Sequence, residues 1–135
     1  MSRPEAGRIV LVDWRDSQRL PGEPGGIRPA VVIERSGVLT GTEQNLLVVP
    51  LSTREIYAQV PVMAQRIEPT EENGCTAISF ALAQNVGAVA LARCHPTASR
   101  VTDGQVRLIR DKSAYLIGVG ADEDDDGGES VPDLG

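Results

Sequence analysis

The sequence predicts a mainly β domain of the α+β class: a small antiparallel β barrel with a C-terminal helix. Short apolar, β-branched runs recur through most of the chain, separated by connections rich in Gly, Pro and acidic residues. Beyond Pro96 the apolar residues change to helical spacing. The length of 135 residues fits one domain, and an aromatic content of 3% means that the core must rest on Val, Leu, Ile and Ala.

Several strands are predicted before this change of spacing. The first, Arg8–Trp14, is apolar and β-branched in its interior. The segment that follows, Arg15–Ile27, is too long for a tight hairpin turn and is a candidate functional loop. Ser36–Asn45 is predicted to be a hairpin tip and Glu68–Gly74 a solvated turn. The remaining predicted strands are Pro29–Arg35, Leu46–Ser52, Tyr57–Ala64, Thr76–Phe80 and Asn85–Ala92.

One amphipathic helix is predicted near the C-terminus, where it would close the barrel. Thr102 or Asp103 supplies its N-cap. Gly118 and Gly120 end it. The residues at helical spacing between the cap and the glycines are Val106, Ile109, Ser113, Leu116 and Ile117.

The acidic residues are concentrated at the end of the chain. The formal net charge is −6, but seven of the 19 acids lie in residues 121–135, which carry no Lys or Arg. Residues 1–120 therefore hold 12 acids against 13 bases, a formal charge of +1. The sequence thus predicts a folded domain, residues 1–120, and an acidic, disordered tail, residues 121–135. Such a tail is typical of a solubilising segment; the alternative is that it shades an Arg-lined groove of its own chain.

The spacing of the cysteines argues against a metal site, and the hydropathy argues against a membrane-spanning segment. Cys75 and Cys94 lack the CxxC spacing and the histidine pattern of a metal site, so both are predicted to be buried free thiols, and no metal or cofactor is expected. No apolar run approaches the ~18 residues that span a bilayer. The N-terminus lacks the pattern of a signal peptide, so a cytoplasmic protein is expected.

The stretch Gly22–Ile33 carries the strongest functional signal. A Gly-rich loop that contains Glu23 runs into Arg28 and Pro29, which open an apolar strand. Glycines let a ligand approach the backbone closely, whereas proline fixes its own φ and extends the residue before it. A positioned guanidinium beside a glycine loop suits phosphate recognition. The alternative is a Gly/Pro hairpin followed by a surface arginine.

The segments occur along the chain in a distinctive order, over residues 7–119: GRIVLVDW, a loop, EPGGIRPAVVI, VVPLST, FALAQNVGAVALAR and a last helix ending in LIGV. This combination resembles the MazF/PemK family of toxin endoribonucleases. The resemblance implies an SH3-like barrel that forms a homodimer and cleaves single-stranded RNA, usually mRNA, within a short recognition sequence. It also implies a small cognate antitoxin that occupies the RNA groove.

The resemblance assigns site residues by position. The family's catalytic arginine falls on Arg28, its catalytic hydroxyl on Ser52 and its loop acid on Glu23. The hydroxyl belongs to Ser where Thr is commoner, which keeps the donor but frees its rotamer. The first loop is longer than the family pattern by about two residues, which bears on base preference more than on catalysis. The residues expected to contact RNA are Arg15, Arg19, Thr53, Arg54, Gln84 and Arg93.

The implied chemistry is metal-independent cleavage of RNA. The ribose 2′-OH attacks the adjacent phosphorus, leaving a 2′,3′-cyclic phosphate and a 5′-OH end. Arg28 would clamp the phosphoryl oxygens, and Ser52 would donate a hydrogen bond to them. An arginine pKa above ~12 makes a poor base, so the role expected of Arg28 is electrostatic. Glu23 would serve as the base or orient Arg28. His95 is expected to be structural or exposed, and Trp14 to anchor a core or a dimer.

Two other functional classes fit the same barrel. One is a non-catalytic toxin that binds a protein target such as DNA gyrase, and it needs no pair of an arginine and a hydroxyl. The other is an inactive regulator or scaffold. Inhibition of supercoiling without RNA loss would favour the first, and RNA binding without cleavage the second. Since a fold alone does not decide function, the coincidence of Glu23, Arg28 and Ser52 favours the ribonuclease.

Overall fold

The computed structural model describes residues 3–15, 26–39 and 44–121. Within these ranges the chain forms seven β strands followed by one α-helix, with short 3₁₀ helices between the later strands. The predicted tail beyond Ala121, the loop residues 16–25 and the hairpin tip 40–43 lie outside the described residues. The elements are β1 (Arg8–Asp13), β2 (Ile27–Val32), β3 (Asn45–Ser52), β4 (Ala64–Ile67), β5 (Ser79–Leu82), β6 (Gly87–Ala90), β7 (Cys94–Arg100) and α1 (Asp103–Leu116).

The central strand of the sheet is β3. The hydrogen-bonded order is β4-β5-β3-β2-β1-β7, and every pairing is antiparallel. One edge of β3 pairs with β2, whereas the other edge is shared, because residues 45–48 pair with β6 and residues 51–52 pair with β5. One long strand therefore joins two parts of a barrel-like sheet. The predicted mainly β fold with a C-terminal helix is confirmed.

Both faces of the first three strands contribute residues to a core, which explains their uninterrupted apolar runs. In β1, Ile9 belongs to a first core that also contains Ile109 of α1. The next residue, Val10, belongs to a second core on the opposite face of the sheet. Strands that are buried on both faces read as continuous apolar runs rather than as alternating ones. The second core consists of Val10, Val12, Ala30, Val32, Leu46, Val48 and Cys94.

The helix α1 begins and ends where the sequence predicts. The Thr102 hydroxyl accepts a hydrogen bond from the Gln105 amide, and the Gln105 side chain accepts one from the Thr102 amide, so both residues form a capping box. Gly118, with a φ of 89°, follows the last turn. The predicted apolar stripe is wrong at its end, because Leu116 and Ile117 are exposed. They lie in and just beyond the last turn, past the part of α1 that packs on the sheet.

The predicted strand Tyr57–Ala64 is wrong. A 3₁₀ helix occupies Glu55–Gln59, and the fourth strand begins only at Ala64. The Val60 amide donates to the Tyr57 carbonyl, and the Ala64 amide donates to the Val60 carbonyl. These local bonds turn the chain through a segment whose apolar residues alternate over too few positions to mark a strand. The next two predicted strands are confirmed in shifted or shortened form as β5 and β6.

The sequence did not predict β7. This strand contains Pro96 and lies outside every predicted strand, yet Cys94–Arg100 pairs with β1 at the end of the sheet. An edge strand tolerates proline and needs apolar residues on one face only, so the sequence of β7 is mainly polar. His95 is exposed on this strand opposite Leu11, as the expectation of an exposed histidine requires.

The N-terminal residues are anchored to the sheet by a buried carboxylate. Arg3 donates to both carboxylate oxygens of Glu34, at 2.6 Å and 3.0 Å, and also donates to the carbonyl of Asn45. Glu34 is 4% exposed, and its Oε1 accepts a further bond from the Leu47 amide at 3.2 Å. Burial raises the pKa of Glu34, but the hydrogen bonds from Arg3 and Leu47 outweigh burial and hold the pKa below its usual value.

Arg3→Ala is expected to lower the free energy of unfolding by about 1–3 kcal/mol at neutral pH, because Glu34 would stay buried without its cation. Since folding lowers the pKa of Glu34, the ionised group stabilises the fold above its ordinary pKa of 4.5, and that contribution is lost as the pH falls through the folded-state pKa. The difference between variant and wild type in urea denaturation should therefore shrink under acid conditions. Arg35→Ala, at an exposed neighbour, is the control. A difference that does not change with pH would contradict the assignment.

No helix in the described parts of the chain is both long enough and apolar enough to cross a membrane.

Candidate active site

Arg28 and Ser52 lie on the same face of the sheet, where β2 and β3 separate. The β2–β3 ladder pairs Val32 with Val48 and ends at Ala30 opposite Pro50. Residues two apart on a strand share a face, so Arg28 follows Ala30 and Ser52 follows Pro50 on one surface. If the β2–β3 register continued for two residues beyond Ala30 and Pro50, Arg28 would lie opposite Ser52. The β2–β3 ladder stops before that pair, while Ser52 is held by β5 on the other edge of β3. An arginine and a hydroxyl therefore flank the point where the ladder ends.

Arg28 is exposed at the end of a rigid strand. It pairs with Val12 of β1, which is fully buried in the second core. Its proline neighbour, Pro29, pairs with Leu11 on the same ladder. The backbone of Arg28 is therefore held from one side by β1, while its side chain is exposed to solvent. The paired backbone fits a positioned guanidinium, and the exposed side chain also fits a surface arginine, so the role of Arg28 stays a prediction.

The Ser52 hydroxyl has a defined orientation. Its Oγ accepts a hydrogen bond from the Arg54 amide at 3.2 Å, a local turn at the end of β3. A hydroxyl that accepts in this way keeps its single O–H for donation to another acceptor. Ser52 is half-buried, whereas Thr53 and Arg54 beyond it are exposed. The site thus presents one oriented hydroxyl, with a second hydroxyl and a cation beside it.

A charged cluster borders the site at the end of β1. Arg15 binds the Asp13 carboxylate through its guanidinium, at 3.0 Å and 2.9 Å, and through its backbone amide at 2.9 Å. These bonds lower the pKa of Asp13 to about 2. Arg93 donates to the Asp13 carbonyl at 3.2 Å. Asp13 therefore stays ionised at neutral pH and cannot supply a proton, while Arg15 and Arg93 are held at the same end of the sheet as Arg28.

Of the three other predicted site residues, the structure describes Gln84. Gln84 is exposed in the 3₁₀ helix Ala83–Asn85, which follows the far end of β5 from Ser52. Glu23 and Arg19 lie outside the described residues. The structure thus brings together Arg28, Ser52, Thr53, Arg54, Arg15 and Arg93 at one end of the sheet. Gln84 lies between the β3–β5 and β3–β6 ladders, beside the middle of β3.

The sequence interpretation missed two residues that the sheet aligns with Ser52. Phe80 of β5 is directly opposite Ser52, and Arg66 of β4 is directly opposite Phe80. Opposed residues in antiparallel strands share a face, so the row Ser52–Phe80–Arg66 runs across three strands. No local signal identified Arg66, because the fourth strand was predicted several residues too early.

The thiols and the tryptophan lie in structural positions. Cys94 is buried in the second core, as predicted, and burial raises the pKa of its thiol. Cys75 is only half-buried, so that prediction holds in part. Trp14 packs against the second core as expected. Within the described ranges, no group of three or more His, Cys, Asp or Glu side chains is arranged to hold a metal ion.

Solved structures of toxins have this fold. MazF of Deinococcus radiodurans matches with a TM-score of 0.66 at 20% identity, over 85% of this chain and 96% of that one. An endoribonuclease in complex with its cognate antitoxin from a mycobacterial species matches with a TM-score of 0.64 at 14% identity, over 87% and 97%. The Mycobacterium tuberculosis toxin MazF-mt6 matches with a TM-score of 0.58 at 14% identity, over 82% of this chain and 95% of that one. The architecture is therefore that of the MazF toxins.

The family follows from the sequence match. The model of the PemK-like, MazF-like toxins of type II toxin–antitoxin systems matches residues 5–116, which include every strand and the helix α1. This chain belongs to that toxin family, as the order of its segments indicates.

Proposed function

We propose that this chain is a sequence-specific endoribonuclease toxin that cleaves single-stranded RNA, mRNA above all, without a metal ion. The observation that carries the proposal is the shared face of Arg28 and Ser52 where the β2–β3 ladder ends. A permanent cation and an oriented hydroxyl at one opening suit a phosphodiester, which has two non-bridging oxygens to be bound. Family membership supports the same activity.

The proposed reaction is an internal transfer at phosphorus. The ribose 2′-oxygen forms a bond to phosphorus as the bond to the 5′-oxygen breaks, giving a 2′,3′-cyclic phosphate and a 5′-OH end. The 2′-OH gives up its proton to a base, and the departing 5′-oxygen takes one up. Glu23 is our candidate for the base or for the group that orients Arg28. Between these two proton transfers, negative charge accumulates on the phosphorane oxygens.

Arg28 stabilises this charge. Its planar guanidinium can donate two parallel hydrogen bonds, and its anchoring to β1 means that little reorganisation is needed in the transition state. Ser52 donates its O–H to the same oxygens, because accepting from the Arg54 amide uses a lone pair of Oγ and leaves the O–H available. Arg54, Arg15, Arg93 and Arg19 are proposed to bind flanking phosphates, and Thr53 and Gln84 to hydrogen-bond the RNA.

We also propose a homodimer and a cognate antitoxin. The solved Deinococcus MazE–MazF complex supports the antitoxin, since its MazF matches this chain with a TM-score of 0.61. An antitoxin that covers the Arg28 face would block the phosphate site by competing for the same cations.

The activity is tested by incubating a long single-stranded RNA with the full chain in EDTA and mapping the new ends. We expect cuts at one recurrent short sequence, all with 5′-OH ends. A folded, antitoxin-free chain that leaves RNA intact but inhibits supercoiling by DNA gyrase would overturn the proposal in favour of the non-catalytic toxin. RNA binding without cleavage would overturn it in favour of a regulator.

Ser52→Ala is expected to lower kcat about 10- to 100-fold, because it removes one hydrogen bond to a charged oxygen. The Michaelis constant should change little, since the bond strengthens as charge develops. Initial rates on a short RNA carrying the mapped sequence measure both constants. Ser52→Thr keeps the hydroxyl and should retain most of the activity. Thr53→Ala tests the neighbouring hydroxyl, and a larger loss there than in Ser52→Ala would move the catalytic role to Thr53.

A further inference from the structure

A half-open pocket lies two strands away from Ser52. Its volume is about 280 Å³, close to the lower bound of the roughly 300–1,000 Å³ typical of small-ligand sites. One wall is the 3₁₀ helix Glu55–Gln59 and the turn after it, and the opposite wall is the edge strand β4. The lining residues are Tyr57, Ala58, Pro61, Ala64, Gln65, Arg66, Phe80 and Lys112.

The register of the sheet connects this pocket to the proposed catalytic site. Phe80, which lines the pocket, is opposite Ser52 on β3 and opposite Arg66 on β4. All three side chains share a face of the sheet. Neighbouring strands are ~4.8 Å apart, so the backbone of Arg66, two strands away, lies on the order of 10 Å from that of Ser52. A strand of RNA bound across Ser52 can therefore reach Phe80 and Arg66 without leaving this face. Gln65 is opposite Ala81 and projects from the other face of β4, on which α1 packs, so the pocket continues around the edge strand to Gln65 and Lys112.

The pocket combines aromatic walls with cations. Phe80 is buried and Tyr57 is half-buried. Lys112 reaches over from α1, where its ammonium donates to the Ala64 carbonyl at 3.2 Å and burial lowers its pKa. Arg66 is half-exposed and forms an ion pair with Glu68 at 2.7 Å. Since both partners of that pair are largely in water, it is weak, and a phosphate can compete for the guanidinium.

A polar group completes the pocket. The Gln65 amide donates one N–H to the Arg66 carbonyl at 3.1 Å, which orients the side chain. An amide that uses one donor in this way still presents a carbonyl oxygen and a second N–H. An aromatic surface, an amide and two cations together suit an unpaired nucleotide, because bases stack on aromatic rings and hydrogen-bond through their edges. An apolar peptide side chain would use neither the amide nor the cations.

We propose that this pocket binds an unpaired nucleobase of the RNA substrate, with Tyr57 as the stacking surface and Arg66 as the ligand of the adjoining phosphate. The inference rests on the proposed ribonuclease function and adds a specificity subsite to it. Tyr57, Gln65 and Arg66 would then decide which base is accepted at one position beside the scissile bond. The catalytic step itself needs none of the three.

The test measures RNA binding separately from cleavage. A labelled, mixed-sequence RNA with a 2′-O-methyl group at every ribose cannot be cleaved, and its affinity for the full chain is read by fluorescence anisotropy. Tyr57→Leu, which keeps apolar volume but removes the ring, and Arg66→Gln are each expected to raise Kd roughly tenfold. Tyr57→Phe keeps the ring and should bind within about twofold of wild type. Arg107→Gln, at an exposed position of α1 outside the pocket, should do the same. Thermal unfolding of each variant checks that it is folded.

Sequencing of the cleavage products completes the test. Wild type and Tyr57→Leu cut unmodified RNA in parallel, and we expect the variant to lose the base preference at one position while it still cuts. Cleavage by wild type with unchanged Kd and unchanged cut sites in Tyr57→Leu and Arg66→Gln would overturn the pocket and leave the ribonuclease standing. Binding that depends on Tyr57, in a chain that does not cut, would support the pocket and overturn the ribonuclease. Absence of RNA binding by wild type would overturn both.

Discussion

Arg28→Ala is expected to lower kcat for cleavage of single-stranded RNA by about 100- to 1,000-fold, the usual effect of removing a preorganised donor from a developing anion. Arg28 is exposed but anchored through Val12, so its removal should cost activity and little stability. Arg28→Lys should recover only a small part of the rate, because an ammonium cannot donate two parallel hydrogen bonds. Initial rates in EDTA with mapping of the 5′ ends measure the effect.

Arg107→Ala is the matched control for this variant. It removes the same charge from an exposed position on α1, so it separates the loss of one cation from the loss of the positioned guanidinium. Full activity of Arg28→Ala would assign the cleavage to a contaminant or to another site. Equal losses in both variants would mean that general electrostatic attraction of RNA, and not stabilisation of the phosphorane, is the role of Arg28.

Ile109→Ala is expected to lower the free energy of unfolding by about 2–5 kcal/mol, the range for truncating a fully buried aliphatic side chain. Ile109 is 0% exposed and belongs, with Val106 of the same helix, to the first core. Its removal leaves a cavity in this core, which also contains Val49 and Ile67, both 0% exposed. Urea denaturation followed by circular dichroism measures the change, and the slope with denaturant should stay that of wild type.

Leu108→Ala is the control on the same turn of the helix. Leu108 is 47% exposed, so its truncation should change the free energy of unfolding by less than about 0.5 kcal/mol. Ile109→Val should fall between the two, at about 0.5–1.5 kcal/mol. Equal destabilisation by Leu108→Ala and Ile109→Ala would contradict the orientation of α1 on the sheet.

The central strands and the helix could be predicted because their signals are local. Continuous β-branched runs mark β1, β2 and β3, since both faces of these strands contribute to a core. Thr102 at the N-cap and Gly118 after the last turn mark the ends of α1. In each case the residues that form the element also carry its sequence pattern.

The edge strands could not be predicted, because tertiary pairing defines them. β7 has a polar sequence with Pro96 in it and exists by virtue of its ladder with β1. β4 has four residues and is shifted from the predicted strand by local turns around Val60. Propensity over so few residues is too weak to outweigh the hydrogen bonds of a neighbouring strand.

Part of the candidate site could likewise be predicted from the sequence, and part of it could not. The local sequence marked Arg28 through its proline and the Gly-rich loop, but it left a surface arginine equally open, and only the family resemblance connected Arg28 to Ser52. The row from Ser52 through Phe80 to Arg66 had no local signal at all. Residues that are far apart in the chain become neighbours through register, and register depends on which strands pair.

By itself, the sequence determined the class of fold, the toxin family, the positions of β1 to β3 and α1, and two residues of the candidate catalytic site. Only the tertiary structure decided which face these residues share, where the β2–β3 ladder ends, and which cations and aromatic rings lie beside them. The physical reason is the range of the interactions involved. Apolar runs and helix caps act over a few consecutive residues, whereas strand pairing and burial act between segments that the chain brings together only when it folds.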